Sequence, residues 1–507
     1  MRSGSRAAIV LMLTAIFSTA CTLQAPGTHP WLLNTSTPPV ALGASKQAQA
    51  LLPTARPANS PYFTPTPDAP HTLPTLRADV VQYTVQSGDS LASIALSYNL
   101  ETNALASANG LSASDLLQAG QVLTIPAPQP TLSPSNFKII PDSELVYGPV
   151  SSTLDVAAFV QAQGGYLSLY TEVVDKSTLS GAQIVATLAK EYSVNPRLLL
   201  ALLEYQSSWV TKSQLQEPSL TYPMGLADAS RAGLYRQLSW AANQLNRGYY
   251  LWGVNGLSSV QLADSNLVAF PAALNAGTVS VQRLFALVDD ASNWTNAVSE
   301  NGLYAAYVRL FGIPFDLSIE SLLPANLSQP VMRLPFKDGD SWSFTGGPHS
   351  AWGDSAAWAA LDFAPPGDSY GCYTTNIWEV AVADGIIDRS ENGEVVLDLD
   401  GDGLEQTGWT VLYMHVASTD RVKSGTQVKA GDQIGHPSCE GGISNGTHLH
   451  LARRYNGVWI SADGSIPFVL DRWTSHGTGT EYDGTLTRGG QTVTAWNGRI
   501  ADNQIQR

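Results

Sequence analysis

The sequence predicts a multidomain protein: a small mixed α/β module, a helical middle, and a C-terminal domain built on an antiparallel β-sheet. Three observations carry this. The chain has 507 residues, more than one hydrophobic core normally organises, so it divides into several domains. Apolar residues recur at helical spacing between about 152 and 325 and then, from Val331, in short runs broken by glycine turns. Five of the eight histidines lie between His349 and His450, and such clustering in a histidine-poor chain points to a site rather than to surface composition.

At the N-terminus, Arg2 and Arg6 precede an apolar run from Ala7 to Phe17 and then Ser18-Thr19-Ala20-Cys21. Basic, apolar and small residues in that order form an export signal over residues 1–21. The small residues ending at a cysteine resemble a bacterial lipobox, although Ser18 stands where leucine is usual. That resemblance implies that Cys21 is lipidated and anchors the exported chain to a membrane, in the cell envelope or outside the cell. No later stretch reaches the ~18 apolar residues needed to span a bilayer. Residues 22–78 are rich in Pro, Thr, Ser and Ala without hydrophobic periodicity. They read as an extended or disordered linker.

Residues 79–127 change character. Val81 to Val85 alternate as a strand does, Ser87-Gly88-Asp89-Ser90 supply a turn and a helix cap, and Leu91, Ile94, Ala95 and Tyr98 follow at helical spacing. Asn109-Gly110-Leu111 turns the chain, and Gly120 to Pro126 closes it with a strand. The stretch resembles a LysM module, which implies a β-α-α-β fold that binds glycans containing N-acetylglucosamine. Gly88, Asp89 and Ser90 would lie in the glycan-binding loop.

Residues 128–150 are again rich in Pro and Ser and read as a second linker. Residues 151–326 follow as a helical domain. Ile184 to Pro196, Leu198 to Leu203, and Ala272 to Gly277 resemble lysozyme-like lytic transglycosylases, which implies an all-α fold. Two departures imply that it is inactive: Gln206 stands where that family has its catalytic Glu, and Leu274 where it has Tyr. Glutamine cannot donate the proton that glycoside cleavage needs. Glu204 is two residues from Gln206, and such positions do not share a helix face.

Residues 330–472 hold the histidines. His448 and His450 alternate with Leu449 and Leu451, so both imidazoles leave one face of a strand while the leucines enter a core. His415 ends the apolar run Trp409 to Met414, and Asp362 is the one carboxylate between Trp358 and Pro365. A charge in such a segment is costly unless paired or metal-bound. Catalytic zinc takes three ligands of these types and keeps a fourth position for water. The pattern resembles the lysostaphin-type zinc endopeptidases of bacterial cell walls, most closely their β-lytic branch. The His-x-x-x-Asp motif common in that family fails here, because Trp358 stands four before Asp362. The branch's own spacing holds: Gly347-Pro348-His349, then Ala360-Leu361-Asp362 thirteen residues on from the histidine, then Tyr413-Met414-His415, Cys439-Glu440-Gly441-Gly442, and His448-Leu449-His450. The resemblance implies an antiparallel sheet of the lysostaphin-like, duplicated hybrid motif type and one zinc ion on His349, Asp362 and His450. His415 and His448 would be the catalytic histidines. Glu440 is a further carboxylate nearby, to which the resemblance gives no base role.

With Cys21 lipidated, Cys372 and Cys439 remain, and an exported chain meets oxidising conditions, so a disulfide between them is expected. Asp398, Asp400 and Asp402 match the start of a calcium loop, but Trp409 occupies the twelfth position where Glu is usual. A tight acidic turn is the simpler reading. Trp342, Phe344, Trp352 and Trp358 would line a substrate groove or belong to the core. Residues 473–507 form a Gly- and Thr-rich β extension to which the sequence assigns no role. The net charge of −15 and absence of a basic run exclude a nucleic-acid partner. The expected partner is peptidoglycan, both glycan and stem peptide, engaged by a monomer. The expected function is hydrolysis of peptide bonds in it. The alternative is a non-catalytic wall-binding scaffold or activator of another hydrolase.

Overall fold

The computed structural model describes residues 77–507, apart from 87, 99, 101, 114, 320, 355, 356 and 368. The export signal, Cys21 and nearly all of the first linker lie outside the described residues. No helix among the described residues is long and apolar enough to cross a membrane.

The first module runs β1 (Val81–Thr84), α1 (Leu91–Ser97), α2 (Thr102–Ala108) and β2 (Val122–Ile125). The two strands pair antiparallel. Leu91, Ile94, Leu105, Leu123 and Ile125 form its core. Asp89 accepts from Tyr83 Oη at 2.8 Å and from the Gln86 amide at 2.7 Å, and Ser90 Oγ accepts from the Ser93 amide at 3.1 Å. Both side chains shape the turn that precedes α1.

The middle domain comprises α3 (Val156–Gln163), α4 (Gly181–Tyr192), α5 (Pro196–Ser207), α6 (Leu234–Gly253), α7 (Ala276–Ala286), α8 (Ala291–Ala297) and α9 (Leu303–Phe311). Local chemistry sets the boundaries. Ser180 and Gln183 cap α4 reciprocally, and Asn195 caps α5 with Pro196 as its first residue. The all-α expectation is too strict. Hairpins β3 (Thr171–Val174) with β4 (Ser177–Ser180) and β5 (Ser259–Gln261) with β6 (Leu267–Ala269) interrupt the helices. The stretch 128–150 is also more than a linker. Ile139, Ile140, Leu145 and Val146 are fully buried in the helical core, and the Ile139 amide donates to Thr278 Oγ1 at 2.9 Å. Its Pro/Ser composition concealed a strap of apolar residues that helps to close the domain.

The C-terminal domain is a nine-stranded antiparallel sheet. Its strands are β7 (Ser341–His349), β8 (Ala360–Ala364), β10 (Gly385–Glu391), β11 (Glu394–Asp398), β12 (Trp409–Met414), β13 (Gln427–Val428), β15 (Leu449–Tyr455), β16 (Val458–Trp459) and β21 (Gln504–Gln506). Their order is β13-β10-β11-β12-β15-β8-β7-β21, with β16 paired to β15. β9 (Glu379–Val380) pairs with β14 (Gln433–Gly435), and β17 (Val469–Leu470), β18 (Trp473–Gly477), β19 (Gly484–Arg488) and β20 (Gln491–Thr494) make a further sheet. The C-terminal stretch is therefore integral, because β21 supplies the edge strand beside β7.

The helical and β domains share a core: Trp409, Val458 and Ile460 pack into the helical cluster. Buried Arg454 links them through charge. Its guanidinium donates to Glu405 at 2.8 Å and to Ser193 Oγ, in the turn after α4, at 3.3 Å.

Candidate metal centre

Register builds the centre. On adjacent strands, Gly346 of β7 faces Asp362 of β8, Asp362 faces His450 of β15, and His450 faces Met414 of β12. Directly opposed residues in an antiparallel sheet share a face, so Asp362 and His450 meet without any loop bringing them together. Gly346 makes room: a Cβ there would stand 2.6 Å from Asp362 Oδ2. His349 ends β7, and His448 immediately precedes β15. Leu449 and Leu451 are fully buried in the core beneath.

Asp362 Oδ1 lies 3.2 Å from His349 Nε2, 3.2 Å from His450 Nδ1 and 3.7 Å from His448 Nε2. The two nearer nitrogens are 3.0 Å apart. Backbone carbonyls fix which tautomer each ring adopts. His349 Nδ1 donates to Gly347 O at 2.8 Å, and His450 Nε2 donates to Ala351 O at 3.0 Å. A carbonyl only accepts, so these nitrogens carry the protons. The opposite nitrogens then point lone pairs at a carboxylate oxygen that itself lacks a hydrogen-bond donor. With both rings neutral, these three buried acceptors converge without a donor and call for a cation, whether a proton or a metal ion. Tetrahedral zinc with bonds of about 2.1 Å sets its ligand atoms about 3.4 Å apart, close to the spacings here. Carbonyls behind metal-binding imidazoles are the usual orienting device.

Burial works to raise the Asp362 pKa, but its electrostatic and hydrogen-bonding interactions with the surrounding imidazoles, His349 foremost, override it and hold the carboxyl well below its ordinary range. For His349, burial disfavours charge, yet Asp362 prevails and raises its pKa. Burial lowers that of His450.

His415 and His448 lie beside this group with their rings tilted by 53° and centroids 4.5 Å apart. His415 follows β12 at φ 69°, left-handed backbone that is uncommon for a residue of its size. Ser438 donates to its carbonyl through both N (2.7 Å) and Oγ (2.8 Å), which holds it there. Its Nδ1 donates to Glu440 O at 3.1 Å, and His448 Nδ1 donates to Gly446 O at 2.7 Å. Each therefore turns Nε2 away from these carbonyls with its lone pair free. Burial, and then the neighbouring imidazoles, push His415 down to about 3. The Glu440 carboxylate turns away to accept from Ser418 N and Oγ. Cys372 and Cys439 form a disulfide, which ties down the loop carrying that Glu440 carbonyl.

Several residues of the site had no sequence signal. Tyr482, from the C-terminal stretch, stacks on His349 at 4.3 Å with planes 19° apart. Glu481 accepts from the Ser350 amide at 3.0 Å, and Gly347 N donates to Tyr482 O at 2.7 Å. Trp342 and Phe344 are fully buried core, so the groove reading fails for them, while Trp352 and Trp358 are half-buried. His436 is apart from the cluster, its ring against Trp378. Gly88, Asp89 and Ser90 lie together in the turn before α1. Asp398, Asp400 and Asp402 form a second group with ligand atoms within 4.8 Å of one another.

Fold and site together define a zinc metalloendopeptidase. Three family models match the chain: LysM domain over residues 83–126, LasA N-terminal domain over 138–325, and peptidase family M23 over 378–462. The chain therefore carries a LysM domain, a LasA N-terminal domain and, as its catalytic part, a peptidase family M23 domain. The M23 match covers His415, His448 and His450 and begins after His349 and Asp362. Among curated relatives, Protease LasA of Pseudomonas aeruginosa strain PAO1 is 29% identical over 312 residues, 56% of this chain and 69% of the relative. The same protein from strain UCBPP-PA14 gives the same figures. Among solved structures, the deep-sea M23 metalloprotease pseudoalterin is 24% identical, covering 34% of this chain and 97% of that one, with a TM-score of 0.27. The catalytic domain of lysostaphin from Staphylococcus simulans is 23% identical, covering 24% and 89%, with a TM-score of 0.17.

Proposed function

We propose that this protein is an exported endopeptidase that hydrolyses peptide bonds in peptidoglycan, held to its substrate by the LysM domain, with His349, Asp362 and His450 as zinc ligands. The convergence of three buried lone pairs carries the reading. Zinc bound there would supply Lewis-acid chemistry, polarising a carbonyl oxygen and making a water acidic near neutral pH. The chain's own groups do the rest. His448 Nε2 presents a lone pair beside Asp362, suited to take the proton of the attacking water and return it to the leaving amine nitrogen. His415 faces the same space. Its Nδ1–H is committed to Glu440, so it donates to an oxyanion only as an imidazolium. Negative charge arriving beside Nε2 favours that form and opposes the effect of burial.

The helical domain serves in this reading without chemistry of its own. Glu204 accepts from Thr211 N at 3.1 Å, Thr211 Oγ1 at 2.7 Å and Arg309 at 3.2 Å. A carboxylate so occupied is a poor proton donor, which supports an inactive lysozyme-like role. The turn holding Gly88, Asp89 and Ser90 is the proposed glycan contact of the LysM domain. The lipobox-like run ending at Cys21 supports a lipid anchor, and the protein acts as a monomer. At Asp398, Asp400 and Asp402 the amides of Asp400, Gly401 and Gly403 already donate to Asp398. This favours an acidic turn over a calcium site.

The test pairs metal analysis with a peptidoglycan zymogram. Asp362→Ala should lose zinc and activity, whereas His448→Ala should keep zinc and lose activity. Full activity in either variant refutes the corresponding role.

A further inference from the structure

We propose that the helical domain is a positioning element for the metal centre, acting through the loop from Ser350 to Asp354 on the ring of His450. The inference rests on the ligand assignment above.

The loop begins one residue after His349. Its Ala351 is fully buried, and Ala351 O is the carbonyl that accepts from His450 Nε2. That bond commits the proton to Nε2 and leaves the Nδ1 lone pair for the metal. The rest of the loop is gripped by the helical domain. Trp352 and Tyr192, the last residue of α4, form a T-shaped pair with ring centroids 6.2 Å apart. Gly353, at φ 64°, lies so close that a Cβ would stand 2.7 Å from Asn243 Oδ1 and 3.1 Å from Tyr192. The Asp354 amide donates to Asn243 Oδ1 at 3.2 Å, and Asn243 Nδ2 donates back to the Asp354 carboxylate. Arg247 donates to Asp354 O at 3.4 Å.

Asn243, Arg247 and Tyr250 recur at i, i+4 and i+7 on α6, hence on one face. Tyr250 Oη accepts from the Trp459 amide of β16, the strand paired to β15, at 2.9 Å. One helix face thus holds both the carbonyl-bearing loop and the sheet beside the strand that carries His450. On that face Asn243 and Arg247 make the hydrogen bonds to the loop, at Asp354. A displaced loop would withdraw Ala351 O and free the ring to turn. Loss of such an outer partner typically costs 10–100-fold in metal affinity.

The test uses the full-length protein and zinc competition against a chromophoric chelator, with ¹⁵N-histidine spectra of the metal-free form. Asn243→Ala should weaken zinc binding about tenfold and weaken the protonated Nε2 signal of His450. Arg247→Met should act in the same direction but less. Asn296→Ala, an exposed change elsewhere in the helical domain, should do neither. Unchanged affinity and spectra in Asn243→Ala overturn the proposal. If that variant does not fold, unchanged values in Arg247→Met overturn it instead. Failure of the wild-type protein to bind zinc refutes the ligand assignment itself.

Discussion

Tyr482 lies flat against His349, 4.3 Å between ring centroids, although 133 positions separate them in the chain (482 − 349). Its own backbone is left-handed, at φ 69°. It is latched to β7 by hydrogen bonds between Gly347 N and Tyr482 O and between Tyr482 N and Pro348 O. The stack blocks rotation of the His349 ring, the proposed zinc ligand, which the Gly347 carbonyl also restrains. Tyr482→Ala should therefore weaken zinc binding about tenfold, the scale expected for lost outer support of a ligand. Tyr482→Phe should retain it. Chelator competition on the two variants measures this directly.

The disulfide predicts a separable effect. Cys372 and Cys439 close a loop of 67 positions, for which chain entropy gives about 4 kcal/mol of stabilisation. Neither sulfur is a ligand, but the bridge restrains the segment whose Glu440 carbonyl orients His415. Thiol titration of the denatured soluble protein should find neither cysteine free before reduction. After reduction, zinc content should persist while hydrolysis falls. Loss of both together would contradict the separation.

Glu405 sits buried between two guanidinium groups, 3.2 Å from Arg389 and 2.8 Å from Arg454. Burial raises its pKa, but the two cations win and bring it down to about 2. Removing the carboxylate leaves two buried cations short of a partner at the junction of the domains. Glu405→Ala should cost about 3–5 kcal/mol in denaturant unfolding. Glu405→Gln should cost less, because an amide oxygen still accepts. Equal, small losses would show that solvent reaches the network.

Glu379 predicts a pH dependence. Both its carboxylate oxygens are buried without a hydrogen-bond partner. Burial, opposed by Arg421, pushes its pKa up to about 8. Between the ordinary carboxylate value and about 8 the folded protein binds a proton that the unfolded chain releases, so stability falls as pH rises through that window. The loss is at most about 1.4 kcal/mol per pH unit. Glu379→Gln cannot titrate there, so its stability relative to wild type should rise from pH 5 to pH 8. Parallel denaturation curves at both pH values would exclude the effect.

Much of the site was legible because the zinc chemistry is written in side chains. His448 and His450 announce a shared strand face by a two-residue spacing, and Asp362 stands out as a carboxylate among apolar neighbours. The helical middle was legible in its periodicity. Its two hairpins were not, since β3 to β6 are strands of three or four residues, too short for a pattern to emerge.

The sequence by itself determined the modules, their order and the residue types able to bind a metal, because periodicity and donor chemistry are properties of individual side chains. Only the tertiary structure decided which atoms hold those side chains in place: the carbonyls of Gly347, Ala351 and Glu440, the ring of Tyr482 and the grip of Asn243. A backbone carbonyl is the same at every residue, so its role depends wholly on what the fold sets beside it. No pattern along the chain encodes that adjacency.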